Sequence, residues 1–140
     1  MISFNYVSDY QLVNSESYVD WLAKVVASEA KLLGDIAYIF CDDTYLLKVN
    51  QEFLQHDTFT DIITFDYSNG NTIAGDIFIS TDRVDENAKH YNVSFHEELL
   101  RVMAHGILHL VGYGDKEEGE VIVMRSKEEE KMKLFHVEQK

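Results

Sequence analysis

Apolar residues recur along the chain at two spacings, and the points where one gives way to the other divide it into elements. SFNYV near the start alternates and reads as a strand. In SESYVDWLAKVVASEA, Tyr18, Leu22, Val25 and Val26 fall at helical spacing, with serines standing where a cap belongs. IAYIFC, over 36–41, is short and almost wholly apolar, which predicts a buried strand. Asp43 is placed to cap a helix ending at Leu54, with Leu46, Leu47, Val49 and Phe53 as its apolar face. DIITFDY (61–67) and TIAGDIFIS (72–80) flank Asn69-Gly70, the strongest short hairpin signal, with a loop that can exceed two residues. A helix over about 81–91 follows. Ser94 with Glu97 then fits a capping box that opens a long helix through about Val111. The acidic segment from Glu117 to Leu134 predicts a last, mostly solvated helix whose start Gly119 weakens. The order β-α-β-α-β-β-α-α-α predicts an α+β sandwich with a mixed sheet and a single domain over residues 1–140.

The long helix is unlike the others. Leu99, Leu100, Val102, Met103, Ala104, Ile107, Leu108, Leu110 and Val111 make it apolar almost all round, so it belongs at the centre of the fold with the other helices packed about it. Against that background Arg101, His105 and His109 stand four residues apart and share one face, with Glu97 and Glu98 one turn above. Buried polar groups cost several kcal/mol unless satisfied, so this stripe requires partners.

Histidines at i and i+4 can aim two imidazoles at one point, an arrangement that suits zinc. Gly112 can end the helix in a left-handed turn and Gly114 loosens the chain again, so Asp115 can return as a third ligand. Alone, such a histidine pair reads better as core or cleft histidines hydrogen-bonded to carboxylates, with Asp115 a solvated loop residue. The glycine and the carboxylate at turn-compatible spacing favour a metal site in the pattern H-x-x-x-H-x-x-G-x-x-D. Three protein ligands leave a fourth position for water, as catalytic zinc sites do. The spacing also matches the metzincin proteases, in which the residue after the first histidine is a glutamate acting as general base. Here it is Gly106, which cannot take a proton, so the protease chemistry loses its central group.

Charge and composition narrow the setting. A formal charge of −13 disfavours a polyanionic partner in bulk, although a local cationic groove or a divalent metal can bind phosphate against that mean field. There is no proline, no linker and no repeat to mark a domain boundary. The single cysteine, Cys41, lies in the apolar run 36–41 and reads as a reduced core residue. No apolar run approaches membrane-spanning length, and MISFNYVSDY lacks a basic region followed by an apolar core, so a cytoplasmic protein without a signal peptide is expected.

With these residues in view the sequence resembles the YbeY family, bacterial endoribonucleases of ribosomal RNA maturation. The family signature is close to H-G-x-L-H-L-x-G-Y-D-H, and HGILHLVGYGD (105–115) matches it through Tyr113. A second block, N-x-x-Y-R followed by T-D-V-L-S-F, is similar to Asn50-Gln-Glu-Phe53 and to Thr60-Asp61-Ile-Ile-Thr64-Phe65. A third, G-D-I-x-I-S leading to an asparagine-alanine pair, is similar to Gly75–Ser80 and Asn87-Ala88. The three blocks cover the chain from about residue 36 onward and stand in the family's order. There are two departures. Asp115 replaces the family's third histidine, and Leu54 stands where the family has an arginine tied to RNA cleavage. Aspartate is an acceptable zinc ligand but neutralises one unit of metal charge. Leu54 offers no electrostatic contact to phosphate; Arg101 and His56 are the candidates to replace it.

The resemblance implies a zinc-dependent, single-strand-specific endoribonuclease acting in ribosomal RNA processing, small-subunit maturation and ribosome quality control. It implies one zinc per chain on His105, His109 and Asp115, and RNA and small-subunit proteins as partners. Arg101 is the only protein side chain offered as a catalytic candidate beyond metal-bound water. Two rival readings remain: an assembly factor in which the metal only staples helix to loop, and a metalloprotease-like hydrolase drawing its carboxylate from Glu98. For Asp61 and Asp76, backbone bonding at strand ends and a role in the cleft stand level. Glu98 and Arg101 are expected to form a buried ion pair, with orientation of a ligand histidine as the alternative. His56, His90, His96 and His136 read as surface or cap residues, Trp21 as core, and KEEEKMK as a solvated helix face.

Overall fold

The computed structural model describes residues 1–56 and 58–138, the last three as backbone alone. Its elements run β1 (Ile2–Tyr6), α1 (Ser15–Ser28), β2 (Leu32–Cys41), α2 (Asp43–Leu54), β3 (Ile62–Asp66), β4 (Thr72–Ser80), α3 (Thr81–Tyr91), α4 (Phe95–Val111) and α5 (Glu118–Glu138). The α+β class and the order of elements are those the sequence predicts. The sheet is mixed, in the order β1-β2-β4-β3, with β1, β2 and β4 parallel and β3 antiparallel to β4. Among the described residues no helix is long and apolar enough to cross a membrane.

Strand alternation distributes side chains to two unequal cores. Ile73, Ile77 and Ile79 of β4 join Ile36, Tyr38 and Phe40 of β2 in the larger one, which α1, α4 and α5 cover. On the other face Cys41, Leu46, Val49 and Ile63 form a smaller cluster against Phe65 and Phe78, so α2 packs there. Helix α4 lies at the centre of the larger core, with Leu99, Leu100, Met103, Ala104, Ile107 and Leu108 all buried. It can approach the sheet closely because Gly106 has no side chain: a Cβ there would stand 2.9 Å from both Cδ1 and Cγ2 of Ile77.

Several local expectations change on contact with tertiary structure. Strand β2 starts four residues before the apolar run, with a register shift between Leu33 and Ile36 where it passes from an exposed end to the buried sheet. Asn14, in a left-handed conformation and with no side-chain cap, begins α1, so the serines there do not cap it. The cap of α2 is Asp42, whose side chain accepts from the Tyr45 amide at 2.8 Å. Asp43 instead accepts from Arg83 at 2.7 Å and from the Ser80 hydroxyl at 2.8 Å. Phe53 is exposed and meets Phe65 edge-on rather than entering a core. The hairpin closes between Asn69 and Thr72, which exchange both backbone hydrogen bonds, so the tip is Gly70-Asn71 with Gly70 at φ +60°. A glycine at the first tip position fits a II′ turn.

Helix α5 is mostly exposed, as the sequence predicts, but it also carries an inner face beyond that expectation: Met124, Glu128, Lys131, Met132 and Phe135 are buried. Phe135 packs edge-on against Trp21, whose indole donates to the Lys131 carbonyl at 2.7 Å. The Lys131 ammonium, fully buried, donates to Glu29 at 2.7 Å, Glu130 at 2.6 Å and the Ser28 hydroxyl at 2.9 Å. Trp21 and Cys41 are core residues, as the sequence implies. His90 and His96 are exposed, although His96 also meets the Tyr18 hydroxyl at 3.2 Å. The side chain of His136 lies outside the described residues.

The Glu29–Lys131 pair ties α1 to α5 and yields a stability prediction. Burial alone would push the Glu29 pKa up, but hydrogen bonds from Lys131, Tyr113 and Lys127 outweigh it and lower it below the ordinary 4.5. A carboxylate depressed in the folded state stabilises fully above its unfolded value and loses that contribution as pH falls through the folded one. Glu29→Gln is therefore expected to cost about 3 kcal/mol at pH 7, the low end for breaking a buried pair because Glu130 remains on Lys131. That corresponds to a melting temperature lower by about 10 °C in thermal denaturation. The gap to wild type should shrink below about pH 4.5.

Candidate metal centre

The polar stripe of α4 finds its partners on two other segments. Gly112, at φ +121°, ends the helix in a conformation open to few other residues, and the chain turns back beneath it. Tyr113 fixes this turn from both sides: its hydroxyl donates to Glu29 at 2.7 Å, and its carbonyl accepts from His109 Nδ1 at 3.0 Å. Asp115 is then carried back over the stripe. Its Oδ2 lies 3.1 Å from His105 Nε2 and 3.2 Å from His109 Nε2. The three side chains that the sequence singles out thus converge, with donor atoms all within 4.8 Å of one another.

The outer nitrogens show what the inner ones can do. A carbonyl only accepts, so His109 Nδ1 carries a proton and, in the neutral ring, Nε2 presents a lone pair. His105 Nδ1 lies 2.6 Å from Glu128 Oε2, and the other oxygen of that carboxylate accepts from Arg101 Nη1 at 3.1 Å. Glu128 therefore fixes the same tautomer on His105. Two imidazole lone pairs and a carboxylate facing one another repel unless a cation, or an added proton, sits among them. The donor set fits zinc, which takes imidazole nitrogen and carboxylate oxygen. It also has the outer support that metal-binding histidines usually receive. Burial by itself would lower the His105 pKa, but the hydrogen bond and charge of Glu128, with Asp115 and Asp61 beyond it, raise it overall.

The site lies in a cleft of about 690 Å³ walled by α2, β3 and the loop before it, α3, α4 and α5. Asp61, Asp66, Glu98, Asp115 and Glu128 line it, against Arg101, Lys116 and Arg125, so the lining is acidic before any metal charge is counted. Leu54 and His56 are on the wall as well. Asp61 does both things expected of it: its main-chain carbonyl accepts from the Ser80 amide at 3.0 Å, while its carboxyl lines the cleft. Burial raises its pKa against the opposing charge of His105. Asp76 sits mid-strand opposite Phe65 and Ala37, outside the cleft lining.

Two sequence-based expectations need correction. Arg101 does not pair with Glu98 but with Glu128, and with Glu129 at 3.7 Å. It borders the cleft, yet its guanidinium is engaged in holding α5. Glu98 is buried on the cleft wall, and that burial raises its pKa although Arg101 pulls the other way. Second, the KEEEKMK segment is not simply a solvated face, because Glu128 within it is buried and holds His105 in orientation. Spacing carries a signal for this: Met124, Glu128 and Met132 stand four apart, which places the glutamate on the apolar face. Gly106, next to His105, faces Ile77 and Ile62 of the sheet rather than the cleft.

The family model described as Endoribonuclease YbeY matches residues 4–136. A protein named Endoribonuclease YbeY from Flavobacterium johnsoniae is 59% identical over 139 residues, spanning 99% of this chain and 100% of the relative. One of the same name from Flavobacterium psychrophilum is 57% identical, spanning 99% of each. The solution structure of TM1509 from Thermotoga maritima superposes with a TM-score of 0.67 at 26% identity, covering 99% of this chain and 91% of the other.

If Glu128 orients His105 toward a metal, altering it should weaken metal binding more than it weakens the fold. Glu128→Gln keeps an acceptor and should lower zinc affinity about tenfold, whereas Glu128→Ala should lower it about a hundredfold. Competition against a chromophoric chelator measures both. Unchanged affinity in both variants would detach Glu128 from the site.

Proposed function

The chain belongs to the endoribonuclease YbeY family, and from that premise we propose that it is a metal-dependent endoribonuclease of single-stranded RNA. On this reading it is a hydrolase built as one catalytic domain. Its task is ribosomal RNA processing in the cytoplasm, in late small-subunit maturation and ribosome quality control, alongside small-subunit proteins. The observation that carries the reading is the convergence of His105 Nε2 and His109 Nε2 on Asp115 Oδ2, with both outer nitrogens already engaged. In this proposal those three groups hold one zinc ion. Bound there, zinc supplies Lewis acidity toward a phosphodiester and lowers the pKa of water.

The rest of the work falls to the chain. Glu128 and the Tyr113 carbonyl hold the two imidazoles in their ligand tautomer. Asp61 and Glu98, whose carboxyls burial raises, border the cleft where a proton can be taken or returned. Lys116, beside Asp115, offers an ammonium to the backbone of a bound strand.

One observation favours a second reading. Leu54, not a cation, stands on the cleft wall, and the lining is acidic, which suits a ribosome-assembly factor whose metal is structural. The two readings separate in one experiment. A labelled single-stranded RNA is incubated with the zinc-loaded protein and, in parallel, with His109→Ala purified in the same way. Cleavage by the wild type, reduced at least a hundredfold in the variant and abolished by a chelator, is expected. Equal cutting by both would identify a contaminating ribonuclease. No cutting by either, together with a melting temperature that falls on metal removal, would favour the assembly factor.

A further inference from the structure

The chain has three arginines, Arg83, Arg101 and Arg125, in a sequence carrying 25 acidic residues. Arg83 is held by Asp43 and Arg101 by Glu128 and Glu129. Arg125 forms neither an ion pair nor a hydrogen bond among the described residues. Its guanidinium carbon instead stands 5.8 Å from the centroid of the Tyr91 ring. Both residues line the cleft that contains His105, His109 and Asp115. Tyr91, the last residue of α3, is 52% exposed, so its ring is accessible from the cleft.

We propose that Tyr91 and Arg125 form a nucleotide subsite of the cleft, the guanidinium binding a backbone phosphate and the phenol ring stacking on the adjoining base. The inference rests on the nuclease reading above and goes beyond it by saying where the strand is gripped. A guanidinium whose N–H groups are not taken up by hydrogen bonds offers a planar fork of donors that matches phosphate, and an exposed aromatic face stacks on a base regardless of its sequence. Only an unpaired strand can present such a base, because in a duplex its faces are already stacked. Register supports a place next to the reacting phosphodiester. Arg125 lies one turn of α5, about 5 Å along the axis, before Glu128, which touches His105. The strand therefore has a grip beside the metal-binding site that does not depend on position 54.

Fluorescence anisotropy of a labelled single-stranded RNA with the zinc-loaded full chain tests this, together with steady-state cleavage. Tyr91→Leu, which keeps apolar bulk but removes the aromatic face, should weaken binding about tenfold, with the loss in KM rather than kcat. Tyr91→Phe should restore most of it. Arg125→Ala should reduce the slope of log affinity against log salt by about 0.7, the value for one phosphate of a single strand. Wild-type affinity in Tyr91→Leu, or an unchanged salt slope in Arg125→Ala, would overturn the subsite while leaving a cleaving wild type as a nuclease. A wild type that neither binds nor cuts RNA would remove the nuclease reading and the subsite with it.

Discussion

Helix α4 is buried along most of its length, and the one side that opens on the cleft carries the half-buried Arg101, His105 and His109. Each of these groups would cost several kcal/mol if its polar atoms were left without partners in the interior. That constraint organises the rest of the molecule. The partners cannot come from α4 itself, whose backbone is satisfied within the helix, so they come from the chain that follows. Tyr113 supplies a carbonyl, Asp115 a carboxylate and α5 the Glu128 carboxylate that serves Arg101 and His105 together. The turn and the last helix are placed by the polar needs of the helix before them.

The same arrangement explains why α5 can be so acidic and still pack. Glu128 and Lys131 are the charged residues on its buried side, and both face opposite charge: Glu128 meets Arg101, and Lys131 meets Glu29 and Glu130. Glu118 and Glu120 at the start of the helix are exposed and add to the chain's negative field. That field is why the local exceptions matter. Lys116 and Arg125 reverse the sign of that field only over a short distance along the cleft, within about a Debye length of each charge.

Much of this was legible in the chain. The glycine and aspartate after the histidine pair located the three converging donors, because a helix period and a glycine terminator fix geometry over a few residues. The run 99–111 announced a central helix for the same reason. What failed to show were partners remote in sequence. Glu128 lies 23 residues from His105, and nothing local to KEEEKMK reveals which of three consecutive glutamates turns inward. Only the flanking Met124 and Met132 single it out. Likewise Glu98 is close enough to Arg101 to seem its natural partner, yet the guanidinium turns to α5. Caps were misplaced by a single residue, as with Asp42 for Asp43, because each neighbour offers the same chemistry and only the tertiary contact with Arg83 decides between them.

Gly106 carries a consequence for how this frame could diversify. With a Cβ position 2.9 Å from both Cδ1 and Cγ2 of Ile77, a side chain there requires Ile77 to repack or α4 to lift from the sheet. His105 and His109 ride on that helix, whereas Asp115 is anchored through Tyr113 to α1, so lifting it would pull the donors apart. Installing the glutamate that would make the motif a protease's is therefore not a change confined to position 106. It requires Ile77 to repack as well, and the close seating of helix on sheet acts as a barrier between two chemistries that share almost the same sequence pattern.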